Sequence, residues 1–142
     1  MKSIVLNTIA IFGGLIVGSA VNMGLISLGG ELIPSPTSVD AASMEALAEA
    51  MHLFEPKHFL FPFLAHSLGT LAGAMFAAKI AATHKLISAM IIGLAFLVGG
   101  TIMVFSLPSP LWFNALDLIG AYIPMAYIGY KLVKVDFHQP SQ

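Results

Sequence analysis

Four long apolar stretches alternate with short polar segments along the chain. The stretches cover about residues 4–28, 58–82, 86–107 and 111–132. A helix rises about 1.5 Å per residue, so each stretch can cross a hydrocarbon core of about 30 Å. The pattern therefore predicts an all-α fold, a four-helix transmembrane bundle, with residues 1–142 forming a single integral-membrane domain.

The first apolar stretch has a second interpretation. Lys2 precedes an apolar run, and small residues follow at Gly18-Ser19-Ala20, which is the arrangement of a secretory signal peptide. The apolar run continues through Leu28, beyond the usual length of such a peptide, and this favours a membrane span. At the level of the sequence both interpretations stay open.

The segment 29–57 between the first two spans is hydrophilic. Gly29-Gly30 and Pro34-Ser35-Pro36 are expected to end the first span, and Asp40 is placed to cap a new helix. From residue 41 to about residue 54, apolar side chains recur at helical spacing. They are Met44, Leu47, Met51 and Phe54. We therefore predict an amphipathic helix that lies in the membrane interface and covers an apolar surface like a lid.

Composition supports the membrane assignment and narrows the chemistry. The chain is 58% hydrophobic and 9% charged, whereas soluble domains carry roughly 25% charged residues. It has no cysteine, which excludes disulfides and thiolate chemistry, and no arginine, which removes the usual bidentate phosphate ligand. No glycine-rich phosphate loop follows a strand. We expect no cofactor and no nucleic-acid partner.

The lysines predict the orientation of the chain. Five of the six fall at the same end of a four-span bundle, whereas Lys57 and most acidic residues lie at the other end. The five are Lys2, Lys79, Lys85, Lys131 and Lys134. Because lysine-rich loops stay in the cytoplasm, both termini are expected to be cytoplasmic, and the acidic loop is expected to face the periplasm or the outside of the cell.

Asp117 is the residue that most needs an explanation. A carboxylate in the middle of an apolar span costs about 2.5–3.5 kcal/mol on insertion scales, so it requires a partner, a proton or water. Counted from the outer ends of the spans, the polar residues of all four helices fall roughly 5–12 Å below the membrane boundary. The candidate pocket residues are Asp117, His66, Asn114, Asn22 and Thr101.

Small residues on the same helical faces support convergence of these side chains. Gly14 and Gly18 share a face with Asn22, and Gly69 and Gly73 share a face with His66. Such small-xxx-small patterns let two membrane helices approach closely. In the fourth span, Pro124 frees a backbone carbonyl and is expected to kink the helix one turn beyond Asp117.

Two roles for the polar residues are open. They can be interhelical hydrogen-bond partners with a purely structural role. Alternatively, Asp117 and His66 form a pair that holds or passes a proton in a polar pocket open to the outside. The outer loop offers weak candidates for a metal site, Glu45, Glu49 and His52 on one helical face, although a solvated polar face is the favoured explanation for them.

Four segments of the chain carry a family resemblance. They are Gly18-Ser19-Ala20-Val21-Asn22-Met23, His52-Leu53-Phe54-Glu55-Pro56-Lys57-His58, Ala65-His66-Ser67-Leu68-Gly69-Thr70 and Trp112-Phe113-Asn114-Ala115-Leu116-Asp117. Through them the chain resembles a family of small bacterial four-span inner-membrane proteins. The resemblance implies the four-span fold and the membrane location, and it implies no activity.

Three classes of function follow from these observations. The first is a small multi-pass protein that transports or binds a small solute or a proton at Asp117 and His66. The second is a non-enzymatic accessory or assembly subunit of a larger membrane complex, and the third is a membrane-embedded enzyme that uses the His–Asp pair or a metal. With no soluble domain and no cysteine, the enzyme ranks last. The expected partners are the lipid bilayer and, because four spans cannot enclose a wide pathway, a second copy of the chain or another membrane protein.

Overall fold

Helices and turns make up the whole of the described structure, a computed structural model that describes residues 1–36 and 43–136, with side chains up to Lys134. The six α-helices are α1 (Lys2–Leu32), α2 (Met44–Ala50), α3 (Leu60–Ile80), α4 (Lys85–Ser106), α5 (Leu111–Gly120) and α6 (Ile123–Asp136). Two 3₁₀ turns, Met51–Leu53 and Pro56–Phe59, join α2 to α3.

Within the described residues, four segments are long and apolar enough to cross a membrane. They are Lys2–Leu32, Pro56–Ile80, Lys85–Ser106 and Leu111–Lys134. The last of them is made of α5 and α6 together. The predicted all-α architecture of four spans is confirmed, and so is the extra short helix between the first two spans.

Helices α1 and α3 pack at backbone distance through glycines. A Cβ atom added to Gly18 would lie 2.8 Å from the carbonyl oxygen of Gly69, and one added to Gly14 would lie 2.7 Å from that of Gly73. Any larger residue would force the helices apart. Both small-residue faces thus allow the close helix approach expected of them, and the structure shows that they pack on each other, which makes α1 an integral part of the bundle.

Helix α1 is longer than the sequence indicates. Gly29-Gly30 was expected to end it, yet the helix continues to Leu32. Gly29 is buried, and a Cβ at this position would collide with the side chain of Phe61 on α3, 2.6 Å from its Cγ. This glycine therefore provides room for an aromatic ring, and the helix continues past it to Leu32.

The core where α3, α4 and α6 meet consists mostly of alanine. Its fully or nearly buried members are Ala74, Ala77, Ala78, Ala89, Ile92, Ala126 and Val133. Gly93 of α4 lies against Ala126, and Gly129 of α6 lies against the backbone of Leu71. Small side chains at these crossings allow dense packing, which is the main source of helix association in lipid.

The fourth span is broken rather than continuous. Helix α5 ends at Gly120, and α6 starts at Ile123 after Ala121 and Tyr122. Pro124 has no amide hydrogen to donate to the carbonyl of Gly120, so the hydrogen-bond ladder is interrupted. The expected kink is present, and it takes the form of a two-residue break.

The outer-loop helix α2 lies on an aromatic surface. Met51 is buried together with Phe59 and Phe113, and Leu47 and Phe54 pack against them. Met44, the fourth member of the predicted face, is 46% exposed. The apolar face of the amphipathic helix is thus covered as expected, except at its first residue.

The start of α2 differs from the expectation. The helix begins at Met44, and the Ser43 hydroxyl accepts the N–H of Ala46 at 3.3 Å as its cap. Asp40, the predicted cap, lies outside the described residues. The described helix therefore starts with Ser43 as its cap, and residues 41 and 42 of the amphipathic pattern lie outside the described residues.

The opposite end of the bundle is tied together by Asn7. Its Nδ2 donates to the Thr83 hydroxyl at 2.9 Å, and its Oδ1 accepts the Ala82 N–H at 3.0 Å. These bonds hold the start of α1 beside the turn between α3 and α4. Lys2, Lys79 and Lys85 consequently lie at the same end of the molecule.

Candidate functional site

The structure brings His66 and Asp117 into direct contact across two spans. His66 lies in the second turn of α3, and Asp117 lies in the second turn of α5. The Nδ1 atom of His66 is 2.9 Å from each carboxylate oxygen of Asp117. The depth count from the sequence thus correctly paired two residues that are 51 positions apart.

A third residue, Tyr122, completes the cluster. Its hydroxyl donates to Oδ2 of Asp117 at 2.7 Å and lies 3.0 Å from Nδ1 of His66. Its ring stacks on the imidazole with centroids 5.7 Å apart and an interplanar angle of 30°. The three polar groups therefore form a closed triangle, which we call the His–Asp–Tyr cluster (His66, Asp117 and Tyr122).

Tyr122 is not among the residues predicted from the sequence, because the apolar pattern indicates a continuous fourth helix. In such a helix, residues five apart differ by about 140° around the axis, which would place Tyr122 away from Asp117. The break at Ala121 and Tyr122 changes the direction of the chain and brings the hydroxyl back to the carboxylate. Pro124, two residues further on, was the available signal.

Gly100 of α4 provides the space that the tyrosine ring occupies. A Cβ atom at Gly100 would collide with the Tyr122 hydroxyl and would lie 2.6 Å from its Cζ and 2.9 Å from its Cε2. Three of the four spans thus contribute to the cluster: α3 supplies the imidazole, the broken α5–α6 span supplies the carboxylate and phenol, and α4 supplies a gap.

Burial makes the hydrogen bonds of the cluster necessary. Asp117 is 3% exposed and Tyr122 is 1% exposed, so neither polar group reaches solvent. The carboxylate accepts from two donors, the imidazole N–H and the phenol O–H, and these bonds reduce the cost of its charge in lipid. Among the described residues, no buried side-chain nitrogen or oxygen lacks a hydrogen-bond partner.

His66 is the member of the cluster that reaches the surface of the bundle, with 20% of its side chain exposed. Its Nδ1 is held by Asp117, and within the described chain its Nε2 has no hydrogen-bond partner. Because no unpartnered polar atom is buried there, Nε2 must be accessible at the surface. The predicted pocket open at Asp117 is thus corrected: the carboxylate is enclosed, and the accessible atom belongs to His66.

This arrangement defines what the cluster can do chemically. An ionised carboxylate only accepts hydrogen bonds, so Nδ1 carries the proton and Nε2 carries the lone pair. Binding of one proton at Nε2 changes the net charge of the cluster from −1 to 0. A membrane-embedded enzyme would need a further acid–base group within hydrogen-bond reach of the His–Asp pair. Tyr122 is such a group, so the geometry is also compatible with an enzyme.

The other candidate residues do not bond to the cluster. The Thr101 hydroxyl donates to the carbonyl of Leu97 in its own helix at 2.8 Å. The Asn114 amide donates to the carbonyl of Ser109 at 3.3 Å, where it stabilises the start of α5. Asn22 packs against Gly69, one turn along α3 from His66. The structure therefore brings together two of the five predicted residues.

The weak metal candidates lie in the segment between the first two spans and are not part of the His–Asp–Tyr cluster. Glu45, Glu49 and His52 are exposed, and Nδ1 of His52 bonds to the backbone carbonyl of Glu49 at 2.8 Å. Within residues 1–36 and 43–136, no group of three histidine or acidic side chains is arranged to hold a metal ion.

The neighbouring turn has a structural role. Glu55 and His58 form a reciprocal capping box at the start of the Pro56–Phe59 turn. The Lys57 ammonium lies 3.0 Å from the Glu55 carboxylate and holds the pKa of that carboxyl below its ordinary value. These polar residues therefore stabilise the 3₁₀ turn that directly precedes α3.

The fold and the site define a class: a small four-span membrane protein with a buried, hydrogen-bonded His–Asp–Tyr cluster. Comparisons with protein-family models, with curated proteins and with solved structures give no match to this chain. Its function is therefore inferred from the cluster itself.

Proposed function

We propose that this protein transports or binds a proton, or a small solute together with a proton, at the His–Asp–Tyr cluster. The observation that carries the proposal is the difference in exposure between the members of the cluster. Asp117 and Tyr122 are enclosed, whereas the Nε2 atom of His66 is accessible. A group that only joined helices would not need an accessible titratable nitrogen.

Histidine suits this role because its imidazole can carry one or two protons, and Asp117 sets its orientation. The carboxylate holds the Nδ1–H tautomer and supports the imidazolium when Nε2 takes up a proton. The Tyr122 hydroxyl keeps Oδ2 occupied in both states. The proton therefore enters and leaves at a single atom, and a change of one unit charge in a low-dielectric region can be coupled to the binding of a solute.

The proposal includes a second copy of the chain or a partner membrane protein. Four short spans cannot enclose a wide pathway, so the route from His66 to the other side of the membrane needs additional helices. We also propose a bacterial inner-membrane location with both termini in the cytoplasm. The clustering of Lys2, Lys79 and Lys85 at one end of the bundle supports this orientation.

The test is proton flux in reconstituted vesicles. The full chain is incorporated into phosphatidylethanolamine–phosphatidylglycerol vesicles that contain a pH-sensitive dye, and a pH step is applied with charge compensation by potassium and valinomycin. We expect the wild-type chain to dissipate the pH step faster than empty vesicles. Asp117→Asn keeps an acceptor for the His66 N–H but removes the charge, and flux should fall at least tenfold.

Thr101→Val is the matched control. It removes a polar group at similar depth that bonds only within its own helix, so flux should stay within twofold of wild type. Wild-type flux in Asp117→Asn, with the variant folded, would contradict the proposal. Wild-type vesicles that are no faster than empty ones would remove the proton-transport function and leave the accessory role.

An accessory or assembly subunit is the second candidate. It is favoured by the complete pairing of Asp117 and Tyr122 in the interior, which resembles structural hydrogen bonding between helices. In that case Asp117→Asn lowers the stability or assembly of the complex without any flux phenotype. Mass measurement of the solubilised native complex distinguishes the two, since an accessory subunit is recovered in fixed stoichiometry with another membrane protein.

A further inference from the structure

A cleft of ≈ 430 Å³ lies at the lysine-rich end of the bundle, between the α3–α4 turn and α6. It is lined by Ala78, His84, Lys85, Leu86, Tyr130, Val133 and Lys134. His66 and Ala78 are twelve residues apart on α3, so the cleft is about 18 Å from the cluster along the helix axis. The two features can therefore be tested independently.

The lining of the cleft combines an apolar floor with a basic rim. The accessible apolar surface comes from Leu86, which is 38% exposed, and half-buried Tyr130, above the buried Ala78 and Val133. Lys134 is exposed and Lys85 is half-buried. None of the described lining residues is acidic. An apolar floor with cationic groups beside it matches a molecule that has a hydrocarbon part and an anionic head.

The position of the cleft matches the boundary between lipid and water. It lies where three of the spans end or begin: α3 ends at Ile80, α4 begins at Lys85 and α6 ends at Asp136. Tyr127 and Tyr130 lie on the same stretch of α6, with ring centroids 6.5 Å apart. Tyrosine and lysine are the residues that concentrate at the headgroup level of a membrane.

We propose that this cleft binds the headgroup of an anionic phospholipid, with Lys134 at the phosphate, Lys85 beside it, and the start of an acyl chain against Leu86 and Tyr130. Basic pockets between transmembrane helices at the cytoplasmic side are the usual sites for anionic lipid headgroups. A phospholipid from the surrounding leaflet needs no route of entry, because the cleft opens at the level of the headgroups. The proposed occupant is therefore an anionic phospholipid from the surrounding leaflet.

Binding is measured with the full chain in a non-ionic detergent. Dioleoyl phosphatidylglycerol, dioleoyl phosphatidylcholine and inorganic phosphate are added separately, and bound lipid is counted by native mass spectrometry while thermal stability is followed in parallel. We expect one phosphatidylglycerol per chain, bound at least tenfold more tightly than phosphatidylcholine. Each lysine near an anionic headgroup contributes about 1 kcal/mol, so Lys134→Gln should weaken binding about fivefold and Lys85→Gln/Lys134→Gln about 25-fold.

Lys131→Gln is the matched control. Lys131 is on the same helix and carries the same charge, but its ammonium lies 5.3 Å from the centre of the Tyr127 ring and does not line the cleft. Its loss should change binding less than twofold. Equal effects of Lys131→Gln and Lys134→Gln would show a diffuse surface charge and overturn the proposal.

Two further outcomes also overturn the proposal. Equal affinity for phosphatidylcholine removes the role of charge, and stabilisation by inorganic phosphate alone indicates a free anion as the occupant. Lys134 is exposed at the end of α6, so its single variant tests the site even where the double variant does not fold. Asp117→Asn should leave lipid binding unchanged, because the cluster lies in the other half of the bundle.

Discussion

Gly100→Ala tests whether the enclosed tyrosine holds the site in place. The substitution adds one methyl group to α4 and removes no polar group. The added Cβ would lie 2.6 Å from Cζ of Tyr122, whereas ordinary contact begins at about 3.5 Å. Because Tyr122 is only 1% exposed, its ring has no free space into which it can move.

The magnitude follows from this geometry. The ring must shift by roughly 1 Å to restore normal contact, and this would lengthen the 2.7 Å bond to Asp117 beyond hydrogen-bond range. Overpacking costs about 1–3 kcal/mol, and a membrane hydrogen bond adds about 0.6 kcal/mol on average. The better helix propensity of alanine offsets up to about 1 kcal/mol. We therefore expect a net loss of about 1–3 kcal/mol in the free energy of unfolding.

The measurement is reversible unfolding of the full chain in mixed detergent–dodecyl sulfate micelles, followed by circular dichroism. Gly99→Ala is the matched control, since Gly99 is on the same helix and a Cβ there meets nothing within 4 Å. Its stability should equal or slightly exceed that of the wild type. Tyr122→Leu removes the atoms that collide, so Gly100→Ala should cost less in that background.

Equal stability of Gly100→Ala and Gly99→Ala would refute this reasoning. It would mean that Tyr122 does not fill the gap at Gly100, and the hydrogen bond to Asp117 would then lose its structural support. If Gly100→Ala costs as much stability in the Tyr122→Leu background as in the wild type, the effect comes from another contact of α4. Only a coupled loss supports the arrangement described for the cluster.

Three further predictions concern the cluster, the helix crossing and the turn. Tyr122→Phe removes one donor to the carboxylate and should cost about 0.6–1.7 kcal/mol of unfolding free energy in the same micelle assay. Gly73→Ala should separate α1 from α3, because its Cβ would lie 2.5 Å from a carbonyl oxygen, whereas Gly24→Ala meets nothing within 4 Å and should be neutral. Asn7→Ala removes the bonds to the α3–α4 turn and should speed hydrogen exchange there, whereas Thr8→Ala, exposed on the next position, should not.

The amino-acid sequence alone determined the architecture. Apolar runs long enough to cross a membrane leave helices as the practical solution, since every backbone group must be paired within its own segment. The glycine pairs also indicated which faces of α1 and α3 can pack closely, because spacing by four residues places them on one face. The local sequence pattern was sufficient for the spans and for the close-packing helix faces, because the helix period and the membrane thickness are both known in advance.

Pairing of His66 with Asp117 could be predicted for a similar reason. In a bundle of spans of known length, position along the chain converts to depth, and an expensive carboxylate must find a partner at its own depth. Depth does not determine direction around the helix axis, however. That is why Asn22, Thr101 and Asn114 were grouped with the pair, although Thr101 and Asn114 bond elsewhere and Asn22 packs against Gly69.

Only the tertiary structure decided the third member and the accessibility of the site. Tyr122 reaches Asp117 because α5 stops before Pro124 and α4 carries a glycine at position 100, two features that lie on different spans. The enclosure of the carboxylate and the surface position of His66 Nε2 depend on how three helices pack. Those packing distances are set by side-chain volumes meeting across the bundle, and no local pattern in the chain contains them.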